Sequence, residues 1–313
     1  MAEDSSLRDR LLRQISRLNR EHELITPGDR IMVACSGGKD SWAMLHLVRA
    51  YVRKLPFSVS LVAMNLDQGQ PGYDPGPLLE HLRAHGFEHH LEIRDTYSVV
   101  RQKTPAGKIY CSRCARMRRA ILHQVADRLG ANKIALGHHR DDLIETLLLN
   151  QMFAGRLRGM AAHLPAPPDG HALIRPLLAC AEADLAAYAA SLAVPILPCT
   201  LCGTQPDTRR QQVKRWLVTL EAQIPNLRQS LAAAAGNVEP EHLLDRRLRA
   251  DEIPAERPDL ENARLDVVSP TFVTLRSMHK RDNAHKNAVN HSVGGLTPTR
   301  CGSTTPTGNH RLT

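Results

Sequence analysis

The 313-residue sequence has no apolar run long enough to cross a membrane, since a spanning helix needs about 18 or more consecutive apolar residues. Its first residues, MAED, lack the basic and apolar regions of a secretory signal peptide. Aromatic residues make up only 4% of the chain, but apolar residues together make up 42%, which is enough for a sizeable core. We therefore expect a globular, cytoplasmic protein that has no membrane partner.

Acidic residues are scarce near the C-terminal end. The formal net charge is +9, and residues 271–313 contribute six Lys or Arg against one Asp. The rest of the chain is closer to balance, so local basic clusters, and not net charge, must support any nucleic-acid partner. The same residues lack a periodic apolar pattern, and we expect 246–313 to be an irregular, disordered extension whose removal after residue 270 leaves activity intact.

The sequence also lacks the Walker pattern G-x-x-x-x-G-K-[ST], which disfavours an ordinary P-loop motor or GTPase. Between two apolar runs, 31–35 and 42–48, it has a different glycine-bearing loop. This pattern predicts a strand, a tight turn and a helix, with backbone N–H groups and a helix N-terminus directed at phosphate and a lysine as mobile cation. The loop consists of Ser36, Gly37, Gly38, Lys39, Asp40 and Ser41.

Apolar β-branched segments alternate with helical periodicity along most of the chain, which predicts an α/β fold with a doubly wound parallel sheet and a helical C-terminal part. We expect a basic amphipathic helix within 1–25, one catalytic domain over 26–245, and the extension. Ligands of such sheets bind at the carboxyl ends of strands, here the loops 36–41, 65–69 and 137–142. Predicted strands are 31–35, 59–65, 90–93, 133–136 and 173–178, and predicted helices are 6–24, 42–48, 77–85, 114–129, 144–153, 182–192 and 209–224.

Four of the seven cysteines form two C-x-x-C pairs, Cys111 with Cys114 and Cys199 with Cys202. The 84 residues between the pairs exceed the spacing of a compact zinc ribbon, so we expect any shared site to be assembled by the fold. Thiolates could hold zinc or an iron–sulfur cluster, and spacing does not choose between them. Two further cysteines, at 35 and 180, lie in apolar runs and are expected to be buried small hydrophobes.

Several polar side chains are expected near the predicted nucleotide loop. Asp142 follows a strand and begins a helix, where a carboxylate could hold Mg²⁺ or simply cap the helix. His138 and His139 are open to a packing or hydrogen-bonding role, and Arg175 is predicted to reach leaving pyrophosphate. Basic clusters around 113–119, 156–158 and 209–215 would lower thiol pKa and attract phosphate, although solvated helix faces explain about half of them.

The loop at 36–41 resembles the PP-loop of the N-type ATP pyrophosphatases, whose fold is the adenine nucleotide alpha hydrolase-like type. Further motifs narrow the resemblance over about 6–245 to the tRNA 2-thiocytidine synthetases. These motifs are CSRCARMRR at 111–119, ALGHHRDD at 135–142, GRLRGM at 155–160 and PCTLCG at 198–203.

That resemblance implies an ATP-dependent tRNA sulfurtransferase that adenylates the C2 oxygen of cytidine 32 so that sulfur can displace AMP. It implies ATP and Mg²⁺ at residues 36–41, Asp142 and Arg175, with Lys39 and Asp40 catalytic. It also implies a [4Fe-4S] cluster held by Cys111, Cys114 and Cys202, with one iron available for sulfur. On spacing, either member of the second pair could be the third ligand, which leaves Cys199 as a persulfide carrier or a spare thiol. The implied partners are tRNA, a cysteine desulfurase and a second copy in a homodimer.

Two other functions compete with this interpretation. One is another PP-loop tRNA modifier, either of the 2-thiouridine type, which generally has extra zinc-binding cysteines, or a lysidine synthetase, which has no use for the cysteine pairs. The other is a zinc-stapled RNA-binding protein, against which the intact Lys39 and Asp40 count. AMP release that depends on tRNA would separate the enzymes from the binding protein.

Overall fold

The computed structural model describes residues 2–102, 111–168, 170–197, 208–245 and 248, and all of them belong to the unit Met1–Ser269. The predicted extension lies almost entirely outside the described residues. The strands are β1 (Arg30–Ala34), β2 (Ser60–Asp67), β3 (His89–Ile93), β4 (Lys133–Ala135), β5 (His163–Leu164) and β6 (Ala172–Ile174). They form one sheet in the order β3-β2-β1-β4-β6-β5, parallel throughout except that β5 pairs antiparallel with β6.

The helices connect the strands and extend the chain beyond the sheet. In chain order they are α1 (Ala2–His22), α2 (Lys39–Val52), α3 (Gly76–Ala84), α4 (Thr96–Gln102), α5 (Cys111–Arg128), α6 (Arg140–Ala154), α7 (Glu182–Ser191), α8 (Arg209–Glu221) and α9 (Leu227–Ala234). A short 3₁₀ turn follows at Pro240–His242. Among the described residues, no helix has the length and apolar character needed to cross a membrane.

The two faces of the sheet are covered by different helices, and the central strand β1 shows why. Side chains alternate along a strand, so Ile31 and Val33 pack into a cluster with α1, α2 and α7, whereas Met32 packs on the other face. There it meets Val125 of α5 and Ile134 of β4. A third cluster joins α6, α8 and α9. This is the predicted doubly wound α/β architecture with a helical C-terminal part.

The strand order reverses next to β1. From β1 the chain goes outward to β2 and β3, and later returns to β4 on the other side of β1. A crevice therefore opens at the carboxyl ends of β1 and β4, where such sheets bind ligands. The loop 36–41 follows β1, and the loop 137–139 follows β4.

Some predicted element bounds were wrong. The last strand ends at Ile174 and does not continue to residue 178, because Pro176 has no N–H and the chain turns there, with Leu178 N–H donating to Arg175 O at 3.2 Å. Helix α8 ends at Glu221, not 224, since Pro225 disfavours helical backbone at the residue before it. The sequence prediction also missed α4, β5 and α9, which are short elements with few buried side chains.

Candidate active site

The loop 36–41 is a tight turn that leads into α2. Gly37 has φ +81°, a left-handed conformation that glycine adopts at low cost. Gly38 is the N-cap of α2 and offers no side chain to the helix, so the first N–H groups remain available to a ligand. Ser41 Oγ donates to Gly38 O at 2.8 Å and lies 3.3 Å from Ser36 Oγ, which holds the turn closed. The structure thus contains the predicted strand, tight turn and helix, and phosphate binding by the turn stays a prediction.

The segment before the second cysteine pair lies against this loop. Leu197 N–H donates to Gly37 O at 3.0 Å, and a β-carbon at Gly37 would lie 2.8 Å from the Leu197 side chain. The fully buried Trp42 donates its Nε1–H to Pro195 O at 2.8 Å. Residues 195–197 are therefore anchored on the nucleotide loop and α2, and the segment 198–207 follows directly after them.

Lys39 is held by carboxylates from two helices. Its Nζ lies 2.9 and 3.0 Å from the two carboxylate oxygens of Asp40 and 3.1 Å from Glu182 Oε1 at the start of α7. The other oxygen of Glu182 accepts from Lys214 Nζ at 2.7 Å. Burial alone would raise the pKa of Glu182, but hydrogen bonds from Lys214 and Lys39 lower it to about 2. Glu182 is thus an anion that is paired with both Lys39 and Lys214.

The loop after β4 approaches the nucleotide loop closely. A β-carbon at Gly137 would lie 3.5 Å from the backbone of Asp40 and Ser41. His139 caps α6, because its Nδ1 accepts from Asp142 N–H while Asp142 Oδ2 accepts from His139 N–H. The other ring nitrogen, Nε2, lies 3.4 Å from Asp142 Oδ2 and 3.9 Å from Asp40 Oδ2. His139 therefore links the carboxylates of the two loops.

Asp142 and Glu145 share a cation supplied by α8. Arg210 donates to Asp142 Oδ1 at 2.8 Å and to Glu145 Oε2 at 3.2 Å. Glu145 is buried, and burial raises its pKa. Asp141, by contrast, is a structural residue: its oxygens accept from Glu182 N–H and from Arg228, which tie α6 to α7 and α9.

These side chains line one cleft of about 270 Å³ beside the nucleotide loop. Its volume is slightly below the roughly 300 Å³ at which ligand pockets begin. Acidic and basic groups alternate around it. The lining residues are Asp40, His139, Asp142, Glu145, Glu182, Thr208, Arg210, Gln211 and Lys214.

Arg175 lies at the carboxyl end of β6, as predicted, but its guanidinium group is committed elsewhere. It donates to Ala161 O at 2.6 Å and to His138 Nδ1 at 3.3 Å. Burial, and to a lesser extent the positive charge of Arg119, lower the pKa of Arg175 to about 10. Burial, and to a lesser extent the positive charge of Arg175, lower the pKa of His138 to about 4. In the described parts of the chain, no hydrogen bond or ion pair joins Arg175 to the loop 36–41. Its role toward pyrophosphate stays a prediction.

The described cysteines fall into two kinds. Cys35 and Cys180 are buried, and burial raises their pKa to about 11 and about 12, so they are the inert hydrophobes that the sequence predicted. Cys114 is half-buried in the first turn of α5, and its Sγ donates to Gln68 Oε1 at 3.4 Å. Gln68 comes directly after β2, so Cys114 lies at the same edge of the sheet as the nucleotide loop.

The remaining predicted cysteine ligands are only partly placed. Cys111 begins α5, one turn before Cys114, and its side chain is outside the description. Cys199 and Cys202 lie in the segment 198–207, outside the described residues. That segment is attached at Leu197 on the nucleotide loop and at Thr208, which lines the cleft and caps α8. Within the part of the chain that the structure describes, no three His, Cys, Asp or Glu side chains form a preassembled metal site.

Sequence reasoning missed the two glutamates of the cleft. Glu145 lies three residues after Asp142 on α6, a helical spacing that was visible in the sequence. Glu182 comes from a distant helix, and only the packing of α7 on α2 brings it to Lys39. Arg210 and Lys214 were noted as part of a basic cluster, and their carboxylate partners were not predicted.

A parallel sheet with this loop at its reversal point is that of a nucleotide-binding PP-loop protein, and a family model described as a PP-loop domain matches residues 7–195. Among curated proteins, the tRNA-cytidine(32) 2-sulfurtransferase of Anaeromyxobacter dehalogenans (strain 2CP-C) is 48% identical over 77% of this chain and 83% of that protein. The protein of the same name from Sorangium cellulosum (strain So ce56) is 49% identical over 76% and 84%. The chain belongs to this tRNA-cytidine(32) 2-sulfurtransferase family of enzymes.

A solved structure supports the fold. The U34-tRNA thiolase NcsA from Methanococcus maripaludis, determined with its [4Fe-4S] cluster, aligns with a TM-score of 0.61 over 76% of this chain and 81% of that chain. The two sequences are 20% identical, so the likeness concerns the architecture of the sheet and its helices.

Proposed function

We propose that this enzyme uses ATP to convert cytidine 32 of the tRNA anticodon loop to 2-thiocytidine. The C2 oxygen attacks the α-phosphorus of ATP and pyrophosphate leaves; a sulfur nucleophile then adds at C2, the C2–O bond breaks, and AMP leaves. The observation that carries the proposal is the PP-loop with residues 195–197 packed against it and Cys114 at the same edge of the sheet. The 48–49% identity to two tRNA-cytidine(32) 2-sulfurtransferases supports the substrate.

The nucleotide part of the proposal rests on the loop 36–41. Its open N–H groups and the positive end of α2 would bind phosphate oxygens. Lys39 would exchange one of its carboxylate partners for a phosphate and stabilise the charge that develops as pyrophosphate leaves. Asp40 and Asp142 both have an oxygen within 3.9 Å of His139 Nε2, and these two carboxylates would bind Mg²⁺ together with phosphate oxygens.

Cys114 fits a cluster-binding role. It is half-buried, stands in the first turn of α5 and lies at the same edge of the sheet as the loop 36–41, and the exposed Arg116, Arg118 and Arg119 follow it along the helix. Cys111, Cys114 and Cys202 would hold a [4Fe-4S] cluster, and NcsA, which shares the fold, carries one. When bound through three cysteines, such a cluster has one iron without a protein ligand, which can carry sulfur. We propose that a cysteine desulfurase supplies that sulfur and that the enzyme is a homodimer.

The tRNA part of the proposal draws on unpaired cations. A cavity of about 550 Å³ at the C-terminal ends of α2 and α7 is lined by Arg8, Arg49, Arg53 and Lys54, among others. Within the described residues, Arg8, Arg53 and Lys54 have no carboxylate partner. Helix α2 is 14 residues long, so this cavity lies about 20 Å from the nucleotide loop. Phosphates of a bound RNA would satisfy these charges.

The activity is tested with anaerobically prepared protein that carries its cluster, together with ATP, Mg²⁺, a sulfide source and a tRNA with C32. We expect 2-thiocytidine in the digested RNA, one AMP for each modified nucleoside, and no product from the same tRNA with U32. Thiolated uridine, lysidine, or ATP-independent RNA binding without AMP would each overturn the proposal in favour of one of the alternative functions.

The ligand set is tested by metal analysis of Cys→Ala variants. We expect about four iron atoms per chain in the wild type, lost on changing Cys111, Cys114 or Cys202 and retained on changing Cys199. Cys35→Ala is the matched control, since Cys35 is buried and inert, and it should retain full iron. Zinc that depends on all four pair cysteines would overturn the cluster assignment.

A further inference from the structure

Two of the few aromatic side chains are stacked at the surface. Phe153, at the end of α6, and Trp216, on α8, have ring centroids 6.4 Å apart and planes inclined by 18°. Trp216 is 44% exposed, whereas the other tryptophan, Trp42, is fully buried. In a chain with only 4% aromatic residues, an exposed tryptophan stacked on a partly buried phenylalanine needs a reason.

Arginine also contacts the phenylalanine ring. The guanidinium carbon of Arg209 lies 4.4 Å from the centroid of the Phe153 ring. Arg209 and Trp216 are seven residues apart on α8, which is two turns along the same face and about 10.5 Å of rise. Both side chains of this face of α8 therefore meet Phe153. The partly exposed outer surface of Trp216 can receive one more flat group.

Helix packing explains the position of Phe153, which is partly buried against the cluster that joins α6 and α8, but it does not explain Trp216. Helices α6 and α8 are joined by Ile144, Val213 and Leu217, all of which are fully buried. Trp216 lies to one side of that buried stripe, and nearly half of its surface stays in water. An aliphatic or polar residue at position 216 would leave the buried contacts unchanged.

The charge around the stack favours an anionic partner. The turn after α6 is fixed by Asn150, whose backbone O accepts from Arg156 N–H and whose side chain donates to Arg158 O at 2.8 Å. Arg156 and Arg158 are exposed. Like Arg209, they have no carboxylate partner among the residues that the structure describes. Aromatic rings interleaved with unpaired arginines are typical of surfaces that bind single-stranded nucleic acid.

We propose that the outer face of Trp216 stacks on an unpaired base of the substrate RNA and that Arg156 and Arg158 bind the adjoining phosphates. This rests on the proposed function for the identity of the RNA. Asp142 in the cleft and Phe153 in the stack are about 16 Å apart along α6. The stacked base is therefore another nucleotide of the same loop, and not the cytidine that is modified. Trp216 is thus a positioning residue that holds the loop while its target enters the cleft.

The test uses the protein's own fluorescence. The chain has two tryptophans, so Trp216→Leu leaves the buried Trp42 as an internal reference. We expect an RNA stem with a seven-nucleotide loop to quench wild-type emission and a fully paired duplex of the same stem to quench it little. Trp216→Leu should remove the quenching and weaken binding of the stem-loop by about 5- to 100-fold, and Trp216→Phe should bind more tightly than Trp216→Leu.

Val218→Ala is the matched control. Val218 is 61% exposed on the same helix and points about 200° away from Trp216, so this change should leave stem-loop binding unaltered. Equal stem-loop affinity of Trp216→Leu and the wild type would overturn the proposal. So would a sedimentation result in which Trp216→Leu converts a dimer to monomers, since a second copy would then cover the stack.

The stacking site and the proposed function can fail separately. If the wild type forms no 2-thiocytidine but Trp216→Leu binds the stem-loop more weakly than the wild type does, the thiolation proposal fails and the stacking site stands. If thiolation occurs and Trp216→Leu retains wild-type KM for tRNA, the stacking site fails. If it stands, Trp216→Leu should raise the KM for tRNA with little change in kcat.

Discussion

The two flanks of α8 differ in how their cations are used. On one flank, Arg210 and Lys214 point into the cleft, and each is paired with carboxylates of α6 or α7. On the other flank, Arg209 lies on an aromatic ring and has no carboxylate partner among the described residues. A ligand must displace an existing ion pair on the first flank, but on the second it meets cations that are already available. The first arrangement suits a site that must position a nucleotide, and the second suits the general attraction of RNA phosphate.

The side of α8 that carries Arg210 and Lys214, here called the cleft flank, faces Lys39 of the loop 36–41, and Lys39 and Lys214 share the partner Glu182. Of the residues in the cleft, we expect Lys39 to matter most for the reaction with ATP. Lys39→Met removes the cation that would stabilise departing pyrophosphate. We expect pyrophosphate release to fall by about 100- to 1000-fold, with tRNA affinity unchanged. Lys214→Met, measured beside it, should cost less, because the nucleotide loop keeps its own lysine. Equal losses in the two variants would contradict this ranking.

Arg210→Ala tests whether the cleft flank is also structural. The change leaves the buried Glu145 without its cation, and burial already raises the pKa of this group. Because Arg210 is half-exposed, we expect a loss of about 1–2 kcal/mol in the free energy of unfolding, measured by urea denaturation. The double variant with Glu145→Gln should recover part of the loss. Strict additivity of the two changes would show that the pair is not coupled.

The same flank should respond to acid through Glu182. Its pKa is lowered from an ordinary value near 4.5 to about 2, so its ion pairs add stability above pH 4.5 that is lost as the pH falls toward 2. The difference in Tm between the wild type and Glu182→Gln should therefore be largest at neutral pH. It should shrink progressively below pH 4.5, and a difference independent of pH would rule out the ion pairs as its source.

The stack flank should contribute least to stability. We expect Trp216→Leu to change the free energy of unfolding by no more than about 1 kcal/mol, because the side chain is nearly half exposed. Leu217→Ala, at the next residue, removes a fully buried side chain and should cost about 2–5 kcal/mol. A large loss of stability in Trp216→Leu would assign the tryptophan to the core and not to RNA binding.

Local patterns predicted much of the molecule because each of them is complete within a few residues. The apolar run 31–35 predicted the strand β1, and the two glycines after it predicted the loop 36–41. The burial of Cys35 and Cys180 follows equally from their apolar neighbours. Other features were not evident from local patterns. Strand β6 ends at Ile174 because Pro176 has no N–H and the chain turns there, and the apolar run 173–178 does not reveal that turn. Glu182 was missed because only the packing of α7 on α2 brings it to Lys39.

The amino-acid sequence by itself determined the α/β class, the phosphate-binding turn and the family, since the spacing of short motifs carries all three. Only the tertiary structure decided which charges meet: Lys39 with Glu182, Asp142 with Arg210, and Arg209 with Phe153. These pairs are separated by more than 50 residues along the chain, and their geometry depends on how α7 and α8 pack around α2 and α6. A contact of that kind has no local signature, because its energy arises only when the two elements are already packed together.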